Sequence, residues 1–188
     1  MHRVVTPPAN EPINLDEAKA QCRVDGDYED ALLTAYIQAA REHGEGMAER
    51  AFITQTIEAV FPRFPSPGWP VMLPRPPLLA VESVTYTDSA GEEQVLDHAA
   101  YAVDTVSEPG RITPVGSWPV STNVRVRYTA GYGDEAEDVP QCYRQGIRLL
   151  VGHWYANRES VVIGTIATNV PQAADALFGY GRIYRVPT

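Results

Sequence analysis

The side chains best suited to chemistry are two cysteines, four histidines and a scatter of carboxylates, and their spacing decides what they can do. Cys142 and His153 would be the thiol and base of a small hydrolase. They lie eleven positions apart on one predicted helix, about three turns or ~16 Å, and cannot hydrogen-bond to each other. A thiol-hydrolase reading would need partners from elsewhere, so Cys142 is expected to be a small helix residue. His2, His43, His98 and His153 lack metal-ligand spacing. There is no His-Glu-x-x-His, no paired Cys-x-x-Cys and no calcium-type acidic loop. Ser107, Ser117 and Ser121 fall outside any nucleophile-elbow pattern. Gly44-Glu45-Gly46 and Gly131-Tyr132-Gly133 lack the context of a phosphate loop. Catalytic, metal and cofactor residues are therefore not expected, nor is an enzyme.

Binding chemistry leaves more open. Arg125 and Arg127 share one predicted strand face and could contact phosphate, although such a pair is more often solvated or salt-bridged. Trp69, Trp118 and Tyr132 could stack on sugars, making the β region a glycan-binding module. More often such residues cover the rim of a small sheet. Acidic clusters at Asp25–Asp30, Glu92-Glu93 and Asp134–Asp138 each suit a helix start or a hairpin tip. Gathered on one wall, they would repel DNA phosphates and let a duplex slide past.

The elements that must position these groups follow from composition and period. The 188 residues carry 15 basic and 24 acidic side chains, a formal charge of −9, which argues against gripping nucleic acid. Hydrophobic residues at 44% and charged residues at 21% exclude wholesale disorder. The length suits one domain or two small ones. No apolar run could span a bilayer, MHRVVTPPANEP lacks a secretory signal, and the two cysteines read as free thiols. Of 16 prolines, six fall in PSPGWPVMLPRPP, which must be an extended surface crossing or a sheet edge.

Residues 1–51 read as N-terminal helices. Asn14 and Glu17 fit a capping box for Leu15–Arg23, and Asp27 is expected to cap a second helix with Leu33, Tyr36, Ile37 and Ala40 on its apolar stripe. From 52 to 133 the period changes to two. Ile53–Phe61 forms a strand, Val84–Thr87 and Gln94–Leu96 a hairpin, Tyr101–Asp104 and Arg111–Thr113 a second, and Val124–Thr129 a further strand. Residues 134–158 hold a third core helix, capped by Asp138 with Gln141, and with Ile147, Leu150, Val151, Trp154 and Tyr155 on its apolar face. Residues 159–188 form a C-terminal arm with at most one short helix, started by Pro171 and stopped by Gly179. Ordering residues 161–188 costs backbone entropy that their eleven larger apolar side chains, even fully buried, barely recover. The arm is therefore expected to order against another chain, the alternative being a tail folded onto its own domain. The fold class is α+β: about three helices in a bundle, an inserted antiparallel β subdomain and an extended arm.

Nearly the whole chain also resembles a known family. LDEAKAQCRVDGDYEDALLTAYIQAAREH resembles the opening of the head–tail connector (adaptor) proteins of long-tailed phages, prophages and gene transfer agents. LPRPPLLAVESVTYTDSAGEEQVLDHAAYAVD is similar to their inserted β region, and VPQCYRQGIRLLVGHWYANRES to their third helix. PQAADALFGYGRIYRV is similar to their closing segment, except that Gly179 and Gly181 flank Tyr180 where members often carry bulkier residues. The resemblance implies a virion structural protein, made in the bacterial cytoplasm and located at the head–tail joint. It implies a ring, commonly dodecameric, that docks on the portal and meets a head-completion or tail-completion protein. Double-stranded DNA passes through such a ring without sequence-specific binding, and no membrane is involved. Carried over to this chain, the portal-docking residues are Ala176, Leu177, Phe178, Tyr180, Arg182 and Tyr184.

Overall fold

The computed structural model describes residues 1–158 and 170–182. The fold is α+β, in two compact units: Met1–Ala9 with Thr54–Tyr132, and Asn10–Ile53 with the chain from Gly133 onward.

The first is a β unit. β1 (His2–Thr6), β2 (Gln55–Phe61), β4 (Leu78–Thr87), β5 (Glu93–Val95) and β8 (Thr122–Ala130) form an antiparallel sheet in the order β1-β2-β8-β4-β5. A smaller sheet has the order β3-β7-β6, from β3 (Val71–Met72), β6 (Tyr101–Asp104) and β7 (Arg111–Pro114). Alternation builds the larger sheet: Ile57, Ala59, Val84, Val124, Val126 and Tyr128 are buried, with Ile57 opposite Tyr128 and Val84 opposite Val126. The expected hairpins are β4–β5 and β6–β7. The proline-rich stretch supplies β3, an end strand, as proline's missing N–H requires. It is fastened by the Tyr128 hydroxyl, which donates to Pro74 O at 2.6 Å.

β1 falls where helices were expected. His2, Arg3 and Val4 pair with Ala59, Glu58 and Ile57. A five-residue strand before Pro7-Pro8 is too short to announce itself, and its partner lies more than fifty positions away.

The second is a helical unit of α1 (Leu15–Cys22), α2 (Asp30–Ala48), α3 (Gln141–Ala156) and α4 (Val170–Gly179). Leu33, Ile37 and Ala40 of α2 and Tyr143, Ile147, Leu150 and Val151 of α3 make its core. The capping box of α1 is present, Asn14 Oδ1 accepting from Glu17 N at 2.8 Å and Glu17 Oε2 from Asn14 N at 2.9 Å. Two other caps differ from expectation. Asp27 does not cap α2, which starts at Asp30 behind Glu29, with no side-chain cap. Nor does Asp138 cap α3, because its carboxylate accepts from Glu135 N within a preceding 3-10 turn and Pro140 takes the N-cap position.

α4 has the expected limits, and over 170–182 the expectation that the arm finds burial on another chain is corrected. The rest of the arm, 159–169 and 183–188, lies outside the described residues. Ala174 and Phe178 are buried within their own unit, where α4 packs against α3 and α2. No helix among the described residues is long and apolar enough to cross a membrane.

Candidate functional site

α4 is held by a slot cut for one ring. Phe178 is 0% exposed and enters where α2 and α3 both carry glycine. A Cβ added at Gly44 or Gly146 would lie 2.7 Å from Phe178 Cε1, closer than any packed carbon tolerates. Beneath the ring, Phe52 stacks on Tyr143 with centroids 4.6 Å apart, and on Phe178 at 6.3 Å. Gly44 is thus what lets the ring in. His43 Nε2 meets Asp175 Oδ1 at 3.1 Å. Beyond the helix, Arg50 Nε donates to Gly181 O at 2.7 Å and Arg182 Nη2 pairs with Glu49 Oε1 at 3.2 Å.

The expected docking residues therefore divide. Phe178 serves the chain's own core, and Leu177 is half-buried. Ala176 and Arg182 are exposed, and Tyr180 is 87% exposed. Tyr184 lies outside the described residues.

Two charged clusters brace the helices that carry this site. Glu17 Oε1 accepts from Arg144 Nη2 at 3.0 Å and also from Arg148, while Arg144 Nε donates to Pro12 O at 2.9 Å. Burial alone would raise the Glu17 carboxyl, but the Asn14 N–H and the two guanidinium groups hold it below its usual range. At the other end, Glu29 accepts from the Tyr155 hydroxyl and from Arg158, whose guanidinium lies 4.6 Å from the Tyr155 ring centroid. Those bonds, Tyr155 first, lower the Glu29 carboxyl. They also explain why Glu29 gives α2 no cap. Sequence reasoning missed this cluster, though the run His153-Trp154-Tyr155-x-Asn157-Arg158 was its visible half.

In the β unit the aromatic residues named for sugar stacking divide, Tyr132 being half-buried. Trp118 is 9% exposed, stacked on Phe64 at 4.5 Å with rings 3° from parallel, and its Nε1 donates to Trp69 O at 2.8 Å. Trp69 remains 64% exposed. Arg127 is 3.6 Å from Glu58, which also holds Arg3 at 2.7 Å, so the salt-bridged face expected for Arg127 is present. Cys22 and Cys142 are free thiols, and among the described residues no three His, Cys, Asp or Glu side chains gather as a metal site would need.

The family profile of phage gp6-like head–tail connector proteins matches residues 12–107. The chain belongs to that family. No curated protein matches it. Among solved structures, a chain from the neck of an empty gene transfer agent particle, computed with C6 symmetry, is 25% identical. Its TM-score is 0.79, with 100% of this chain and 97% of that chain covered. A chain from the neck of the native particle, computed with C12 symmetry, is 25% identical with a TM-score of 0.74 over the same shares. A chain of the native particle's virion shares the fold at 24% identity and a TM-score of 0.79, again over 100% and 97%. The connector's α1, α2 and most of its β unit thus carry the family pattern, while α3 and α4 align with the solved neck chains.

Proposed function

We propose that this connector forms a ring at the head–tail joint of a phage or phage-like particle, docked on the portal and extending the DNA channel towards the tail. One observation carries the reading: likeness along the whole chain to a protein in a gene transfer agent neck of sixfold and twelvefold symmetry. The charge of −9 supports it, since a channel for DNA works by repelling phosphates rather than binding them. The connector acts by assembly, with no reaction of its own. Its portal contact is made by the exposed side of α4 and the stretch C-terminal to it, through Ala176, Leu177, Tyr180, Arg182 and Tyr184. Phe178 keeps that helix in place. A head-completion or tail-completion protein meets the opposite end of the ring.

Deleting the protein from the producing cells tests this. Electron micrographs should show heads without tails, and tailed particles in normal number would refute the reading.

A further inference from the structure

A cyclic ring is made by one surface of each copy meeting a different surface of the next. The five-stranded sheet offers such a pair. β1 and β5 are its end strands, each with a neighbour on one side only. An end strand presents main-chain donors and acceptors away from its sheet, and proteins ordinarily cover or blunt such rows. In β5 the ladder identifies these groups. Asp88 N donates to Glu92 O at 2.9 Å and Leu96 N to Val84 O at 2.8 Å. Between them Thr87, Tyr86 and Thr85 face Glu93, Gln94 and Val95. Bonded and non-bonded pairs alternate in an antiparallel ladder, so the main-chain groups of Glu93 and Val95 point outward. All of β5 is exposed, Val95 at 73%, and so is all of β1, with Val4 and Val5.

Charge then selects the partner. The β1 edge carries His2 and Arg3, the latter paired with Glu58 at 2.7 Å but its side chain still largely exposed, with Arg75 Nε 3.1 Å from His2 Nε2. The β5 edge carries Asp88, Glu92, Glu93 and Asp97. A two-fold contact of like edges would oppose like charges, whereas β1 against β5 joins basic to acidic. Strand direction agrees. Successive strands across the sheet are antiparallel, so the first and fifth, β1 and β5, run the same way. Neighbours in a twelvefold ring differ by a twelfth of a turn, which nearly preserves direction. A β5 arriving from the next copy would lie parallel to β1, and parallel strands make a regular ladder.

We propose that the β1 edge of one copy meets the β5 edge of the next, continuing the sheet from subunit to subunit as the ring's lateral contact. This rests on the ring reading above. A contact only a few residues long is weak alone and gains from the effective concentration that docking on a portal provides.

Cross-linking in purified particles tests it. Val4 lies opposite the buried Ile57, and Gln94 opposite Tyr86, whose ring is 5.8 Å from that of Phe64, so both sit on the core side of the sheet. In a Cys22→Ser/Cys142→Ser background, Val4→Cys with Gln94→Cys should give a ladder of multimers with a short bis-maleimide. Either cysteine alone should give none. Wild-type connector in the neck but no ladder from the double variant, or dimers from one cysteine alone, would overturn the proposal. Connector absent from the neck would defeat the ring reading, and the proposal with it. As an independent arm, Val95→Pro removes an outward N–H and leaves the β4–β5 ladder intact. It should lower connector copies per particle about tenfold, the effect of ~1.4 kcal/mol. Undiminished incorporation would count against the contact.

Discussion

In the helical unit the side chains that fix the structure reach across most of the sequence. Glu17 and Arg144 are 127 positions apart, Glu29 and Tyr155 126, and Phe178 closes on Gly44 from a helix at the far end of the chain. In the β unit the polar side chains mostly serve their own turn. Asp88 accepts from the N–H groups of Ala90 and Glu92, Asp97 from Ala99, and Asp104 from Val106 and Ser107. Local caps set hairpin registers early and cheaply. Contacts between distant segments form only after the chain closes on itself, and each then holds two helices at once. The part of the connector read as portal-facing thus sits on the unit whose integrity depends on a few remote contacts.

The sharpest way to break that contrast is to empty the slot. Phe178→Ala should cost about 3–5 kcal/mol, the usual penalty for a buried phenylalanine. The loss should appear as faster hydrogen exchange in residues 170–179 and a lower urea midpoint, with the amides of β2 and β8 unchanged. Gly146→Ala attacks the slot from the other side and should give the same exchange pattern with a smaller loss, about 1–3 kcal/mol. Slow exchange in α4 of either variant would mean that the ring is not what holds the helix.

Acid separates the units differently. The Glu17 and Glu29 carboxyls are both held below the usual range in the folded state. A group lowered by folding contributes stability above its unfolded pKa, about 4.3 for Glu. That contribution disappears as pH falls through the lower folded value. Stability of the helical unit should therefore decline on acidification below about pH 4.3, and Glu17→Gln should flatten the decline. Asp88 and Asp104 are lowered too, by turn N–H groups and neighbouring side chains. Protonating Asp88 should loosen its turn, while protonating Asp104 should also weaken its cross-strand pair with Arg111, 2.9 Å away. Thermal melts between neutral and acid pH, followed by tryptophan and tyrosine signals, would show whether the helical transition moves first.

The same contrast explains how much of the molecule was legible beforehand. The β4–β5 and β6–β7 hairpins, the alternation of β8, the capping box of α1 and the limits of α4 are written in neighbouring residues, and they stand as expected. What escaped depends on remote partners. β1 needs β2, and Glu29 reads as an ordinary helix-start acid until Tyr155 and Arg158 arrive. Gly44 and Gly146 show their purpose only once Phe178 fills the space between them. The docking residues were named from a family resemblance, which orders residues along the chain but does not say which face of a short helix its own unit has claimed.

The smallest expected effect bears on the β unit's one prominent exposed ring. Trp69 and Trp118 are joined by the indole N–H of Trp118 bonding to the Trp69 carbonyl. That bond uses the main chain of Trp69, not its ring, which stays 64% exposed beside Phe64 and the proline-rich border. Trp69→Ala should therefore leave the Trp118–Phe64 stack and the bond in place, and change stability by no more than about 0.5 kcal/mol. The measurement is a paired urea titration of wild type and variant. A change of 2 kcal/mol or more, about the size of a lost core side chain, would show that the Trp69 ring is part of the unit's packing. A neutral result leaves a large aromatic side chain exposed at no structural benefit.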